Sequence, residues 1–340
     1  MKKFIDFICV ASLVFVTFSS GGCSKLSGIG EASKYEKIVY AMDTIMQLDI
    51  CSTDPEVSQK AEDEIMRLDK MLDRGDEESE IYKVNHAGKA VTVSDEIVEI
   101  ISMAHDVSVK SGGAFDITIA PVMDAWGFYS KNYHVPSDDE LDILLKKVDS
   151  SKISLDGNTV TVPDGMELDL GGIAKGYTSD RLMELFKRDG VHSAIVSLGG
   201  NVQAFGRKPD GSLWNVAIQD LEKPDSYIGS VSIENMAVVT SGSYQRYFER
   251  DGVTYHHIID PSEGRPADNG LSSVTIITES GMLGDALSTA LFVLGLDDAV
   301  DYWHTYGGFQ AVFVDNNGKI YITAGLENSF KCERSYEIIQ

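Results

Sequence analysis

The chain has 340 residues, of which 43% are hydrophobic and 24% are charged. This composition is typical of a globular protein with a large core or two lobes, and it argues against a disordered chain. The formal charge of -24 argues against binding to nucleic acid, and against electrostatic binding to anionic lipid.

The N-terminus has the features of an export signal. Residues 1–4 include two lysines, and residues 7–18 form an apolar run too short to span a bilayer comfortably. The run leads to Ser20-Gly21-Gly22-Cys23, which resembles the lipobox of bacterial lipoproteins, although Ser20 stands in place of its usual leucine. We expect lipidation of Cys23, with ordinary signal-peptidase cleavage as the alternative.

Lipidation of Cys23 would define both the regions of the chain and its location. The predicted regions are a signal peptide (1–22), a lipid-anchor tether (23–35) and a two-lobed domain (36–340). Acyl chains would hold the domain on the outer side of the cytoplasmic membrane or in the periplasm, without a spanning helix. Whether Cys51 and Cys332 pair in the mature protein is left open.

Apolar spacing and capping residues predict the first elements. A strand is expected over residues 36–50, and then a helix that Asp54 can cap. A second helix should run from Ser94 to Gly112-Gly113, and a third should begin at a capping box that starts with Ser137. The apolar face of the first helix is predicted to contain Val57, Ala61, Ile65, Leu68 and Leu72.

Hairpins are predicted at Asp156-Gly157, Asp251-Gly252 and Asn317-Gly318. Helices and strands are mixed without a regular βαβ alternation. The sequence therefore predicts an α+β fold rather than a doubly wound one.

The segment over residues 115–128 combines polar and aromatic side chains. Asp116 and Thr118 would share one face of an extended chain, and Trp126 precedes a bend at Gly127. A buried tryptophan usually belongs to a core. With polar neighbours, a stacking surface for a flat heterocycle is the competing interpretation.

Residues 166–188 are predicted to form a strand, a glycine turn and a helix. Free amides at a helix N-terminus bind anions, and Lys175 in the first turn opposes the helix dipole unless it faces a phosphate. Asp169, just before the glycines, could accept hydrogen bonds from a ligand ring or sugar. The alternative is a tight turn followed by a surface lysine.

Three later segments carry further polar groups. Ser197-Leu-Gly-Gly-Asn201 allows close backbone approach or forms a β-bulge.

His257 is either a structural histidine or a general base, and strand alternation lets only one of His256 and His257 face a cleft. Asp285-Ala-Leu-Ser-Thr289 places a carboxylate and a hydroxyl on one face at the first turn of an apolar helix, as dipole partners or as oxygen ligands for Mg²⁺.

Taken together, these segments resemble the FAD:protein FMN transferases of the ApbE type, from about residue 40 to the last strand. One position departs from the pattern: many members have an aromatic residue where this chain has Gly75, so a stacking contact is either missing or supplied by another residue. The motifs that carry the resemblance are Ala41-Met42-Asp43-Thr44, Phe115-Asp116-Ile117-Thr118, Asp169-Leu-Gly-Gly-Ile-Ala-Lys-Gly176, Gly199-Gly200-Asn201, Thr240-Ser-Gly242, His257-Ile-Ile-Asp-Pro261 and Asp285-Ala-Leu-Ser-Thr289.

The resemblance implies a two-lobed, ApbE-like α+β fold with mixed and antiparallel sheets, FAD in the cleft between the lobes, and His257 as the base. The implied contacts to the flavin dinucleotide are Met42, Ala114, Phe115, Asp116, Asp169, Lys175 and Ile259, to which we add Trp126 as a stacking candidate. The implied Mg²⁺ ligands are Gly172, through its carbonyl, with Asp285, Ser288 and Thr289.

The implied reaction is Mg²⁺-dependent transfer of FMN from FAD to a Thr or Ser hydroxyl of an exported or membrane-bound acceptor subunit, with release of AMP. An FAD pyrophosphatase would use the same site with water as the nucleophile. A non-catalytic flavin-binding lipoprotein would need the pocket but no metal. Asp285, Thr289 and His257 favour catalysis over binding alone.

Overall fold

The computed structural model describes residues 32–220, 223 and 226–340. The predicted signal peptide and Cys23 lie outside these residues. Within the described ranges the chain forms eight α-helices: α1 (Val57–Leu72), α2 (Glu80–His86), α3 (Asp95–Lys110), α4 (Ala120–Trp126), α5 (Asp138–Leu144), α6 (Ala174–Arg188), α7 (Gly281–Leu294) and α8 (Leu296–Tyr306).

The same ranges contain nineteen strands. In chain order they are β1 (Ser33–Ala41), β2 (Thr44–Ser52), β3 (Val91–Thr92), β4 (Ser154–Asp156), β5 (Thr159–Thr161), β6 (Ser193–Leu198), β7 (Asn201–Phe205), β8 (Trp214–Gln219), β9 (Tyr227–Ile233), β10 (Ala237–Gly242), β11 (Tyr247–Arg250), β12 (Val253–His256), β13 (Ile259–Asp260), β14 (Arg265–Pro266), β15 (Leu271–Thr278), β16 (Gln310–Asp315), β17 (Ile320–Thr323), β18 (Phe330–Lys331) and β19 (Tyr336–Ile339).

A nine-stranded sheet forms the centre of the fold, in the order β1-β2-β6-β7-β10-β15-β16-β17-β19. Its neighbours are antiparallel, except that β17 and β19 are parallel. Smaller sheets have the orders β18-β9-β8 and β3-β5-β4, and β11-β12 and β13-β14 are two-stranded. Mixed sheets with helices confirm the predicted α+β class.

The two faces of the nine-stranded sheet bury different partners, because side chains alternate along a strand. Val202 and Val238 pack with Trp214 of the small β18-β9-β8 sheet. On the opposite face, Leu198 packs with Leu182 of α6. Helices α6 and α7 therefore lie against the face away from the small sheet.

The predicted helices are largely confirmed. All five predicted apolar residues of α1 are buried, and α3 and α5 begin after Ser94 and Ser137, whose hydroxyls accept backbone hydrogen bonds. Asp54 is not the cap of α1, which begins at Val57. Instead, Asp54 Oδ1 accepts a hydrogen bond from Glu56 N at 2.9 Å, before the helix.

The predicted strand over residues 36–50 is wrong, because the segment is the hairpin of β1 and β2. Met42 and Asp43 form its two-residue turn with φ of 49° and 57°. Positive φ at both positions matches the twist of a hairpin. Glycine and asparagine usually supply it, so this turn has no local signal in the sequence. Strand β1 begins at Ser33, so the predicted tether overlaps the sheet.

The predicted strand over residues 166–170 is also wrong. Glu167 makes one parallel bridge to Ile119, and no ladder extends from it. The three predicted hairpins are confirmed as β4-β5, β11-β12 and β16-β17. Cys51 and Cys332 form no disulfide with each other.

A smaller aromatic core lies beside the main core. It is built on α4, α5 and strands β11 and β13, with Val122, Trp126, Phe128, Leu141, Phe248 and Ile259. The main core includes Phe115 and Ala174, next to Lys175, and Leu287 of α7. Predicted site residues therefore occur in both cores.

Candidate active site

Helix α7 carries the predicted carboxylate ligand. Ser280 caps the helix, since its Oγ accepts a hydrogen bond from Leu283 N at 3.1 Å. Asp285 lies in the second turn, not the first as predicted, and is only 4% exposed. Its Oδ2 accepts a hydrogen bond from Gly176 N at 2.9 Å, whereas Oδ1 receives none within the described residues. A largely buried carboxylate is stabilised when a cation lies beside it.

The hydroxyls of Ser288 and Thr289 converge on Ser241 of β10. Ser288 Oγ lies 2.8 Å from Ser241 Oγ, and Thr289 Oγ1 lies 3.3 Å from it. Ser288 Oγ also donates to the Asp285 carbonyl at 2.9 Å. Ser241 was not predicted as a site residue, although the Thr240-Ser-Gly242 motif pointed to this segment.

The turn before α6 brings Gly172 and Lys175 to the same place. A Cβ on Gly172 would lie 3.8 Å from Thr289 Oγ1, so the two residues are neighbours. Lys175 Nζ donates to the Gly171 carbonyl at 3.0 Å and lies 3.6 Å from Asp285 Oδ2. The attraction between the Lys175 ammonium and this carboxylate is favourable. It shows that the carboxylate lies where a positive charge is stabilised.

The four predicted ligands offer only oxygen atoms, from one carboxylate, two hydroxyls and a backbone carbonyl. Mg²⁺ prefers such donors and usually binds through one or two carboxylates, keeping its other positions for water and phosphate. Oδ1 of Asp285 accepts no hydrogen bond within the described residues, so it is available to a cation. The residues present therefore fit Mg²⁺.

Asp169 is held by a charge network that sequence reasoning missed. Its Oδ1 accepts a hydrogen bond from Gly171 N at 2.8 Å, and Oδ2 lies 3.2 Å from Arg74 Nε. Arg74 also donates to Asp124 Oδ2 at 3.0 Å. Its guanidinium lies 4.0 Å from the centre of the Tyr129 ring. Arg74 thus holds Oδ2 of Asp169, while the glycine turn holds Oδ1.

Tyr129 occupies the space beside Gly75. A Cβ on Gly75 would lie 1.9 Å from Tyr129 Oη, so no larger residue fits there while Tyr129 keeps this position. The Tyr129 side chain is half exposed. An aromatic ring is therefore present next to the position where the family resemblance expected one, although it comes from another part of the chain.

The Asp116 carboxylate is used inside the chain. Its Oδ1 accepts hydrogen bonds from Thr118 N at 2.7 Å and Thr118 Oγ1 at 2.6 Å, and Oδ2 accepts one from Ser150 N at 2.8 Å. Asp116 and Thr118 are both buried. The neighbouring Phe115 ring packs against Gly172, where a Cβ would lie 3.0 Å from Cε2. These bonds hold the 114–118 segment beside the turn that contains Gly172.

Trp126 requires a correction. It is fully buried, and its Nε1 donates to the Gly264 carbonyl at 2.7 Å. Its ring packs against Phe248 and Tyr255, with centroids 6.3 and 5.3 Å away. No face of the ring is open to stack on a ligand, so the core interpretation applies.

The two adjacent histidines have different environments. His256 is buried, with Nε2 3.0 Å from the Ala267 carbonyl and Nδ1 accepting from Ile258 N at 3.3 Å. His257 is half-buried, and its Nδ1 lies 3.2 Å from the Arg246 carbonyl. A carbonyl only accepts, so His257 Nδ1 carries the proton and Nε2 keeps a lone pair.

The environment of His257 keeps it uncharged. Burial, followed by the positive charge of Arg246, lowers the pKa of His257 to about 3. His256 and Lys175 act in the same direction. A neutral imidazole with an available Nε2 can accept a proton, and its lowered pKa makes it a weaker base than a free imidazole.

The turn of the β1-β2 hairpin lies over α6. Met42 N donates to Asp69 Oδ1 at 2.8 Å, and Met42 Sδ lies 3.7 Å from Thr178 Oγ1. A methionine with positive φ is uncommon, and strained backbone of this kind is often found at functional sites. Ile259, another predicted contact, is buried in the aromatic core, and Ala114 packs against the main core.

Comparison with known proteins identifies the family. The model of the ApbE family matches residues 42–313, more than half of the chain. The chain belongs to the ApbE family. The FAD:protein FMN transferase of Klebsiella pneumoniae (strain 342) is 33% identical over 90% of this chain and 97% of that protein. The FAD:protein FMN transferase of Treponema pallidum is 32% identical over 96% of each.

Solved structures confirm the ApbE-like fold of this family member. The ApbE protein of Thermotoga maritima has a TM-score of 0.82 and 33% identity, covering 89% of this chain and 100% of that one. The apo form of the flavinyl transferase ApbE from Pseudomonas stutzeri has a TM-score of 0.75 and 31% identity, covering 85% and 93%.

Proposed function

We propose that the chain, as a FAD:protein FMN transferase, moves FMN from FAD to a Thr or Ser hydroxyl of an acceptor protein and releases AMP. Relatives aligned over almost its whole length are named for FMN transfer. The observation that carries the proposal is the convergence of Lys175, Asp285 and Thr289, with Lys175 Nζ 3.6 Å from Asp285 Oδ2. This group joins a cationic side chain to an oxygen-only cation site.

The proposed step is a displacement at phosphorus. The acceptor oxygen bonds to the FMN phosphorus as the bond from that phosphorus to the bridging oxygen breaks, and the electron pair leaves on AMP. His257 Nε2 accepts the hydroxyl proton, and Lys175 neutralises charge on the phosphate oxygens. Mg²⁺, held by Gly172, Asp285, Ser288 and Thr289, would supply Lewis-acid stabilisation of those oxygens.

The protonation state and tautomer of His257 leave Nε2 available to accept a proton. Its neutral state at physiological pH follows from burial and from Arg246, which lower its pKa. The Arg246 carbonyl accepts from Nδ1 and so fixes the tautomer with Nε2 unprotonated. His256 has both ring nitrogens bonded inside the chain, so it cannot serve in the same way without breaking them.

The location is part of the proposal. None of the helices in the described ranges is long and apolar enough to cross a bilayer. The export signal and the lipobox-like Ser20-Gly21-Gly22-Cys23 support a lipid anchor on Cys23. Acceptors would then be exported or membrane-bound redox subunits that meet the enzyme outside the cytoplasm.

The test combines the full chain in detergent with FAD, Mg²⁺ and candidate acceptors. Covalent transfer leaves flavin fluorescence on the acceptor in a denaturing gel, with one AMP released for each label. Asp285→Asn should lose transfer, whereas Asp297→Asn, at an exposed carboxylate in α8, should keep it. FMN and AMP without a labelled acceptor would identify water as the acceptor. Full activity in excess EDTA would contradict metal dependence.

A further inference from the structure

We propose that Asp180 is a positioning residue for the cation site, a role that rests on the proposed Mg²⁺-dependent function. The carboxylate of Asp180 joins α6 to the start of α7. By fixing α7 relative to α6, it sets the geometry of the oxygen ligands without touching the cation.

The Asp180 carboxylate accepts four hydrogen bonds. Oδ1 accepts from Gly281 N at 2.6 Å and from Gln203 Nε2 at 2.9 Å. Oδ2 accepts from Ser280 Oγ at 2.8 Å and from Met282 N at 3.0 Å. Three of the donors belong to the beginning of α7 and the fourth to β7. One side chain therefore connects three elements of the fold.

This arrangement differs from an ordinary helix cap. The first backbone N–H groups of a helix have no intrahelical acceptors, and that end of the helix dipole is positive. Ser280 satisfies Leu283 N, which is the usual local cap. The N–H groups of Gly281 and Met282 are satisfied by a carboxylate from another helix. Capping α7 therefore also fixes its distance from α6.

Two glycines bring the helix backbones into direct contact. A Cβ on Gly176 would lie 2.2 Å from the Gly281 carbonyl oxygen, and a Cβ on Gly281 would lie 2.8 Å from the Gly176 carbonyl oxygen. Close to this contact, Gly176 N donates to Asp285 Oδ2 at 2.9 Å. A shift of α7 against α6 would therefore move Asp285 relative to its hydrogen-bond donor.

Small shifts matter for a cation of this kind. Helix Cα atoms lie about 2.3 Å from the axis, so a rotation of about 20° moves each by about 0.8 Å. Mg²⁺ requires near-ideal octahedral geometry with oxygen distances of about 2.0–2.1 Å. Gly172 lies before α6 and the other predicted ligands lie in α7, so their separation depends on the contact that Asp180 holds.

The test uses Asp180→Asn, which keeps the size of the side chain but turns an amide N–H₂ toward two donors. We expect the full chain without FAD to bind Mn²⁺ at least about ten-fold more weakly, measured from the EPR signal of unbound Mn²⁺ with Mg²⁺ as competitor. Transfer by the variant should recover as Mg²⁺ is raised to saturation. Ser94→Ala, which removes the cap of α3, should lower the melting temperature and leave Mn²⁺ affinity unchanged.

A second variant covers the case in which Asp180→Asn does not fold. Gln203→Leu removes one of the four bonds and should weaken Mn²⁺ binding in the same direction, but less. Wild-type affinity in both variants, or an equal loss in Ser94→Ala, would overturn the inference, since Asp180 would then only stabilise the fold. Absence of Mn²⁺ binding by the wild type would instead contradict the cation site, and with it the proposed function.

Discussion

Lys175 Nζ lies 3.6 Å from Oδ2 of Asp285, so the first turn of α6 and the second turn of α7 share one buried carboxylate. The sequence predicted that Lys175 faces a phosphate, because a cation in the first turn of a helix opposes the dipole. In the structure, Asp285 offsets that unfavourable position. The ammonium is thereby held close to the predicted cation ligands.

Replacing Lys175 with methionine should change the affinities for the metal ion and for FAD in opposite directions. Removing a positive charge near Asp285 should strengthen Mn²⁺ binding by roughly three- to ten-fold, since like charges no longer repel. FAD affinity should fall, because a cation near the pyrophosphate is lost. EPR and flavin fluorescence quenching measure the two effects. Lys187→Met, on the exposed last turn of α6, is the control, and unchanged FAD affinity in Lys175→Met would restrict Lys175 to the Asp285 contact.

Arg74→Met should weaken FAD binding through Asp169. The change keeps the apolar stem but leaves Asp169 and Asp124 without their shared cation. We expect a loss of roughly ten- to a hundred-fold in affinity, the range for removing the partner of a charged group. Arg67→Met removes a more exposed arginine, bound to Glu64 and Glu96 on the helix surface, and should leave FAD affinity unchanged. Equal effects in both variants would argue against a specific role for Arg74.

Trp126→Phe should lower stability without lowering FAD affinity. The smaller ring leaves a void and removes the donor for the Gly264 carbonyl. Together these changes should cost about 2–4 kcal/mol in the free energy of unfolding. Urea denaturation gives that energy, and fluorescence quenching gives the affinity. A variant with wild-type stability and weakened FAD binding would restore the stacking interpretation.

Local patterns predicted the elements whose determinants are close in sequence. The apolar face of α1 and the caps Ser94 and Ser137 needed only residues within a few turns of each other. The hairpin at Met42 and Asp43 was missed because its positive φ values occur without glycine or asparagine. The turn is held instead by distant partners, since Met42 N donates to Asp69 and the Asp43 carboxylate accepts from Lys131.

The motifs located the segments of the candidate site but not their contacts. Asp285 and Thr289 follow from helix spacing and Ser288 from the family resemblance. Ser241 joins them only because β10 lies beside α7. Arg74 was likewise invisible from the sequence, because its partner Asp169 lies far along the chain. Trp126 was ambiguous for a related reason, since nothing local decides whether an aromatic ring faces a core or a ligand.

Changing Cys23 to serine should release the mature protein from membranes or leave the precursor unprocessed. The physical reason is that acyl chains on Cys23 would be its membrane attachment. Fractionation and immunoblotting measure the distribution. Cys9→Ser, within the predicted signal peptide, is the control and should remain membrane-bound. Mass spectrometry that finds a mature N-terminus beyond Cys23, without lipid, would rule out the anchor.

His257→Asn should separate proton transfer from FAD binding. The asparagine amide can still donate to the Arg246 carbonyl, but it cannot accept the hydroxyl proton. We expect transfer to slow by roughly 10² to 10⁴ fold, the range for a positioned general base, with little change in FAD affinity. His105→Gln, at an exposed position in α3, is the control. A rate that falls only in proportion to lost FAD binding would make His257 a structural residue.

The pH dependence follows from the lowered pKa of His257. Burial and Arg246 lower it from 6.5 to about 3, so the folded enzyme keeps a neutral base well below pH 6.5. The acid limb of kcat/KM assigned to this base should therefore lie near its folded pKa and not near pH 6.5. For stability, the unfolded chain binds more protons than the folded chain between these values, so stability is present above pH 6.5 and is lost as the pH falls toward about 3. His256, whose pKa burial also lowers, adds to the same loss. His257→Asn should reduce the slope of melting temperature against pH in this window, and an unchanged slope would show that His257 is not held neutral by the fold.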